Sequence, residues 1–477
     1  MLHSGKVSID KSDILADKHR VSGNSHYAQK DWMKALICYN KAITFANSKN
    51  VICLAYANRS AVFLELKRYE DCLKNIEWAR QNKYPKDKMS KLDEREKKCK
   101  ELMTKNVKPE DPSKFFKLSY PANEKIPFIA NCVEMRTTEK FGRGIYATKD
   151  LKAGDVISID EPIIHCFREF FDELGDAYYM HCYHCFKTCM LNLIPCVRTN
   201  ILMFCSPECR QTLYAKGLNM ETFMCENVKT LANIMDGFGG KKNFDKFLKH
   251  NDIKTINKTI FDYDFSNADD PKNKENLVKC FLSLKSLKNY NIGNFCCSQS
   301  HLSEKALHHI LGIRKLNQQL TYYSDIDHSF IKSGNSISVF VSLLNHSCVP
   351  NVNSFSVDNK VSVVVLKPIK TGEQLFRSYT NHVLHIFDKL ELILTYEFKC
   401  DCIACTDDDV KKFFPLELNR IPSTFMSRDN LTEANELLKE GNYYINQNSK
   451  TQEEINRYMH TNFAIFDSLA YYSTFPC

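Results

Sequence analysis

The chain has 477 residues, 43% hydrophobic and 26% charged, a globular composition larger than one core usually serves. Two to four domains are expected, and no stretch reaches the roughly 18 consecutive apolar residues of a membrane span. The formal net charge of +8 is modest for this length and reads as solvated surface lysine, which argues against sequence-specific nucleic-acid binding.

The amino terminus lacks the positive-then-apolar layout of a secretory signal, so cytoplasmic and/or nuclear residence is expected. In that setting the 21 cysteines point to metal and free thiols before disulfides. They concentrate at 182–225 and 400–405. Cys38, Cys53, Cys72 and Cys99 stand singly in helical patterns and read as buried small apolar residues.

From Asp17 to Met103 the apolar spacing is helical and self-similar. Tyr27, Trp32, Ala35, Tyr39, Ala42 and Ile43 belong to one helix pair, and Leu54, Ala55, Ala61, Leu64, Tyr69, Cys72 and Ile76 to the next. Asn24 and Asn58 lie 34 positions apart, and residues 23–43 resemble a tetratricopeptide repeat, so a TPR-like helical region is expected over 14–104. Repeats of this kind that hold carboxylate-ended peptides imply a clamp of Arg20, Asn24, Asn58, Lys91 and Arg95 for a chaperone C-terminal peptide. Lys91 and Arg95 fall at i and i+4 on one helix face. The alternative is that the asparagines bond the repeat backbone while the charges are solvated. A linker over 105–127 follows, marked by Pro109 and Pro112 among charged residues.

Over 128–180 the pattern changes to short, partly alternating apolar runs. Gly142, Arg143 and Gly144 lead into Ile145-Tyr146-Ala147, and the glycines permit close backbone approach to a ligand. Cysteines then dominate 181–226: Cys182-x2-Cys185, Cys196, Cys205-x3-Cys209 and Cys225. The first four suit tetrahedral thiolate coordination of zinc. Residues 227–330 read as a polar, mostly helical insertion.

The apolar run 338–344 precedes Asn345-His346-Ser347-Cys348, and Gly372-Glu373 precedes Arg377-Ser378-Tyr379. Next come Tyr396-x-Phe398 and Cys400-x-Cys402-x2-Cys405. This ordered series over 331–398 and 399–411 resembles the catalytic half of a SET-domain lysine methyltransferase. The cysteine insertion resembles a MYND module, and the whole order resembles SET-and-MYND proteins with amino-terminal tetratricopeptide repeats. The fold implied is an α+β multidomain chain. It has helical repeats, a β-rich pseudoknotted SET domain split by a MYND zinc module, and a short helical region over 412–477.

The resemblance implies S-adenosylmethionine contacts from Gly142, Arg143, Gly144, Ser342, Leu344, Asn345, His346, Tyr379 and Phe398. It makes Tyr379 and Tyr396 the catalytic pair, the first orienting the amine and the second lining the lysine channel. Cys348, Cys400, Cys402 and Cys405 become a second zinc site. In the MYND-like module a further site has only Cys196 and Cys225 in place. Thr199 stands where a ligand is expected, Glu221 lies near the expected histidine, and Cys189 substitutes only if its loop is rearranged. Two zinc ions and an incomplete third site are therefore expected.

The chemistry agrees with this set. A free lysine has a pKa of about 10.4, so neutralising it at pH 7 costs about 4.6 kcal/mol, and the ammonium has no lone pair for attack. Aromatic walls and one oriented hydroxyl serve that step better than a carboxylate, which would stabilise the ammonium. The implied function is S-adenosylmethionine-dependent methylation of a lysine amine on a histone or non-histone protein, by a monomer. The alternative is a non-catalytic adaptor or transcriptional co-regulator that binds partners through the MYND and repeat surfaces.

Overall fold

The computed structural model describes residues 10–105, 112–162, 164–167, 176–215, 233–253, 255–267, 269–283, 319–324, 330–379, 396, 398–406, 431–447 and 451–474. The chain divides into two compact units. One comprises Met1–Pro112, Phe167–Met220 and Tyr471–Cys477, and the other Ser113–Cys166 and Glu221–Ala470.

The first unit begins with five helices: α1 (Asp13–Ala28), α2 (Trp32–Phe45), α3 (Lys49–Glu65), α4 (Tyr69–Gln81) and α5 (Met89–Lys105). Ser12 caps α1 with its hydroxyl, while its own N–H donates to the Phe45 carbonyl at 2.8 Å, so α1 and α2 run antiparallel. Gly23 lets them close, because a Cβ there would strike the Tyr39 ring. Ala35, Ala42, Ala55 and Ala57 are buried, as are Cys53, Cys72 and Cys99, while Cys38 is half-buried.

The cysteine module belongs to the same unit, with strands β5 (Ile194–Pro195) and β6 (Met203–Phe204) and helix α6 (Pro207–Ala215). A fully buried arginine joins it to the helices. Arg59 donates to Asn75 Oδ1 at 2.7 Å, Asn40 Oδ1 at 2.6 Å, the Leu193 carbonyl at 2.8 Å and Asn192 Oδ1 at 3.2 Å. Asn40 in turn donates to the carbonyls of Tyr179 and Leu191. A guanidinium stripped of water costs the fold least when its donors are paired in this way. Helices and cysteine module are thereby one folded body.

The second unit is built on short sheets. Strands β1 (Val133–Thr138) and β2 (Gly142–Ala147) form an antiparallel hairpin, and β10 (Val352–Val357), β11 (Lys360–Val365) and β3 (Val156–Asp160) form a three-stranded sheet in that order. A third sheet has the order β4 (Ile164–Phe167), β8 (Phe330–Ile337), β7 (Gln319–Ser324). Strand alternation divides the core. Ile157, Val352, Val361, Val363 and Val365 face the main cluster with Ile145, Phe340 and Leu375. Val156, Phe355, Val357 and Val364 face the other side, against Leu438, Ile465, Phe466 and Leu469. Those last residues come from α9 (Leu431–Asn446) and α10 (Gln452–Thr474), in the region where carboxyl-terminal helices were expected. The 227–330 segment contains α7 (Lys241–His250) and α8 (Pro271–Leu282), but also the strand β7, which its polar sequence did not suggest.

Candidate active site and metal centres

The site is organised by one parallel pair. Strand β9 (Asn345–His346) lies beside β12 (Phe376–Arg377), with Asn345 opposite Phe376 and His346 opposite Arg377. Asn351 staples the ends: its backbone N–H donates to the Phe376 carbonyl at 3.1 Å and its amide donates to the Gln374 carbonyl at 2.9 Å. Its Oδ1 accepts the Phe376 N–H at 2.7 Å. Leading into β9, Val341–Leu343 is one 3-10 turn, anchored where Ser338 Oγ accepts the Val341 N–H at 3.1 Å and donates to Asp160 at 2.6 Å. Burial pushes the Asp160 carboxyl up to about 6, against the pull of the Ser338 and Phe340 hydrogen bonds.

The glycine-bearing strand is drawn onto this pair. Asn345 Nδ2 donates to the Arg143 carbonyl at 2.9 Å, and the Leu375 N–H donates to the Ile145 carbonyl at 2.8 Å. A Cβ on Gly144 would run into the Gln374 amide and sit 3.1 Å from Asn345 Nδ2. Gln374 is held by the Tyr146 hydroxyl, which donates to its Oε1 at 2.9 Å. The glycine turn and Asn345 thus converge.

Tyr379 is fixed at both ends. Its N–H donates to His346 Nδ1 at 3.0 Å, and its hydroxyl donates to the Leu344 carbonyl at 2.9 Å. Its ring centroid lies 4.7 Å from that of Tyr396 and 6.3 Å from that of Phe398, to which it is perpendicular. Burial raises the proton affinity of the Tyr379 phenol, and the neighbouring Arg377 opposes it. Because a backbone N–H can only donate, Nδ1 of His346 is the acceptor, and a neutral ring carries its proton on Nε2. That nitrogen lies 3.3 Å from Cys348 Sγ, so His346 joins Tyr379 to a thiol. Ser342, half-buried, donates from its hydroxyl to the Val339 carbonyl at 2.8 Å.

Two four-cysteine groups are present, Cys182, Cys185, Cys205 and Cys209, and Cys348, Cys400, Cys402 and Cys405. Within each, all sulfurs lie within 4.8 Å of one another. The Cys185–Cys205 and Cys205–Cys209 separations are 3.5 and 3.3 Å, and Cys348 lies 3.8 Å from Cys400 and 3.6 Å from Cys405. Disulfides need about 2.05 Å, whereas four thiolates around one zinc at about 2.3 Å sit about 3.8 Å apart. Both groups fit zinc. Hydrogen bonds from Cys185, Cys205 and Cys209 hold Cys182 far below the usual thiol range, and Cys348 and Cys400 do the same for Cys402.

The remaining module residues do not form such a group among the described residues. Cys196 lies 3.1 Å from the Tyr214 hydroxyl and accepts the Arg198 N–H at 3.4 Å. Cys189 hydrogen-bonds Cys205 of the complete cluster. Cys225 and Glu221 lie outside the described residues.

On the helices, Asn58 Nδ2 donates to Asn24 Oδ1 at 2.7 Å, and Tyr39 donates to the same oxygen at 2.9 Å. Arg20 pairs with Asp17 at 2.7 Å, and Arg95 donates to the Ala57 carbonyl at 2.6 Å and to Ser60 at 2.7 Å. Lys91 is exposed. The structure therefore brings the two asparagines together and engages both arginines within the fold.

The SET domain family model matches residues 142–380, half of the chain, spanning the glycine strand, the cysteine insertion and Tyr379. The chain belongs to the SET-domain family. The relatives it resembles carry SMYD names. It is 26% identical over 221 residues to protein-lysine N-methyltransferase SMYD4 of Danio rerio, covering 44% of this chain and 29% of that protein. It is 34% identical over 110 residues to N-lysine methyltransferase SMYD2 of Gallus gallus, covering 22% of this chain and 25% of that protein. Against SMYD4 of Pongo abelii the identity is 20%, over 81% of this chain and 66% of the relative. The chain thus spans only 29%, 25% and 66% of the length of these relatives, in the order named. No helix among the described residues is long and apolar enough to cross a membrane.

Three residues of this SET site were not assigned roles by sequence reasoning. Gln374 and Asn351 lie beside the motifs, but their work is backbone stapling, which leaves no spacing signature. Arg377 precedes Tyr379 by two positions, and a single arginine in a strand carries no sign of its burial.

Proposed function

We propose that this SET protein is an S-adenosylmethionine-dependent protein-lysine N-methyltransferase acting on the side-chain amine of a histone or non-histone protein. The carrying observation is Tyr379, clamped through its N–H to His346 and through its hydroxyl to Leu344, with Tyr396 and Phe398 against its ring. The hydroxyl proton is committed to Leu344, so the phenol oxygen keeps lone pairs to accept an N–H from an incoming amine and orient it. Tyr396 and Phe398 supply apolar walls that strip water from that amine, which favours its neutral form. Gly142 to Gly144, pinned by Asn345, present backbone where a cofactor would lie, and a side chain on Gly144 would have to displace the Gln374 amide. The cofactor, when bound, supplies a sulfonium methyl to which the amine lone pair bonds as the carbon–sulfur bond breaks. The reading includes a pseudoknotted crossing at the SET site, supported by the parallel β9–β12 pair, and tetratricopeptide character in the helices, supported by their hairpin packing.

The test is radiolabelled methyl transfer into a cell lysate, with cofactor binding followed by calorimetry. Tyr379→Phe should bind cofactor normally and lose about 100-fold or more in transfer, since misplaced reacting atoms cost on that order. Transfer unaffected by the substitution would sink the assignment. A native chain that binds cofactor and labels nothing would favour the adaptor reading.

A further inference from the structure

One cation is buried inside the aromatic site. Arg377 is 9% exposed, and among the described residues no carboxylate pairs with it. Its Nη1 donates to the Ser378 carbonyl at 3.1 Å, and its Nε has no hydrogen-bond partner among the described residues. The guanidinium carbon stands 4.5 Å from the Tyr379 ring centroid. Its backbone is locked: Arg377 faces His346 across the parallel pair, and its carbonyl accepts the Ser347 N–H at 3.0 Å.

A desolvated, poorly paired guanidinium destabilises the fold that holds it, and an apolar side chain of similar length would fill the same space without that penalty. Arginine nevertheless stays charged at neutral pH even when burial lowers its proton affinity. A fixed positive charge acts on every titratable group beside it. The groups facing it among the described residues are the phenols of Tyr379 and Tyr396, with the His346 ring packed on Tyr379.

We propose that Arg377 is an electrostatic positioning residue: its charge makes the Tyr379 hydroxyl, and an amine held against it, easier to deprotonate. The amine part rests on the methyltransferase reading; the phenol part does not. A cation favours the phenolate over the phenol and disfavours a neighbouring ammonium over the neutral amine. Both effects act in the direction that a lysine amine requires before it can attack. Burial alone also favours the neutral amine but works against the phenolate, so the phenol separates the two causes.

The experiment uses the full chain with a difluorinated tyrosine at position 379, whose phenol titrates nearer neutrality and whose fluorines report by NMR. Native Arg377 is compared with Arg377→Met, Arg377→Gln and Arg377→Lys, each checked for a cooperative melt and cofactor binding. Removal of the charge in the Met and Gln variants should raise the titration midpoint by about one unit or more, while Lys keeps most of the native value. An unmoved midpoint in whichever neutral variant folds overturns the proposal and would reduce Arg377 to packing. In methyl transfer, the acid limb of the pH profile should move to higher pH in the same variants, with rates converging under alkaline conditions. A loss equal at every pH would count against the amine part. A shifted midpoint in a chain that transfers no methyl would sink the methyltransferase reading and leave the phenol inference standing.

Discussion

His346→Ala tests the coupling between the aromatic site and the zinc group through one side chain. Two losses follow from its contacts. The Tyr379 N–H, now donating to Nδ1 at 3.0 Å, is left without an acceptor, a loss of about 1–3 kcal/mol for a buried donor. The Nε2 contact to Cys348 at 3.3 Å also disappears, and removing such a partner of a metal ligand lowers metal affinity by about 10–100-fold. The ring further packs on Tyr379 and Phe398, with centroids 5.2 and 5.8 Å away. A total of about 3–5 kcal/mol is expected in urea melts of the zinc-loaded protein. His346→Asn places an amide oxygen near the Nδ1 position and should recover about 1 kcal/mol, without restoring the reach to Cys348. Chelator titration reads the metal directly. The Cys348 group should release zinc at lower chelator concentration in both variants, with the Cys182 group as an unchanged internal reference. If both groups kept their native release points and the alanine variant lost under about 1 kcal/mol, the coupling through His346 would be refuted.

Two further outcomes follow from buried charges. Arg59→Met should destabilise the first unit by about 3–5 kcal/mol, because Asn40, Asn75 and Asn192 lose a shared partner inside the fold. Limited proteolysis should then cut helices and cysteine module together; cleavage of the module alone would contradict a single body. For Asp160 the folded carboxyl is raised from its ordinary 3.8 to about 6, so the folded state binds the proton more tightly. Stability from this group is therefore greatest below about pH 4 and falls as pH rises to about 6, by at most about 3 kcal/mol. Asp160→Asn should remove that slope, seen as a difference between urea melts of the two proteins at pH 4 and pH 7.

Much of the SET site was legible because its chemistry is written in short motifs. Cysteine spacing is a covalent constraint on which sulfurs can meet, and Cys182, Cys185, Cys205 and Cys209 do meet, as do Cys348, Cys400, Cys402 and Cys405. Helical periodicity likewise indicated a helical region over 14–104, without the bounds of the five helices α1 to α5 that lie there. The strand β7 was missed because polar, Lys/Asn-rich surroundings hide a period of two. Cys196 stands apart from both groups: its neighbours include Thr199, Tyr214 and Arg198, and Cys225 lies outside the described residues.

The amino-acid sequence by itself determined the SET family, the two zinc-fitting groups, and the presence of Tyr379, Tyr396 and Phe398 near one of them. Each of these depends on residue type and local spacing. Only the tertiary structure decided that Asn345 pins the Gly142–Gly144 strand, that His346 bridges Tyr379 and Cys348, and that Arg59 joins the amino-terminal helices to the cysteine module. It alone put Arg377 under the Tyr379 ring. These are contacts between segments distant in the chain, set by the register of a two-residue parallel pair and by burial. A charge reveals its work only when the water around it is gone.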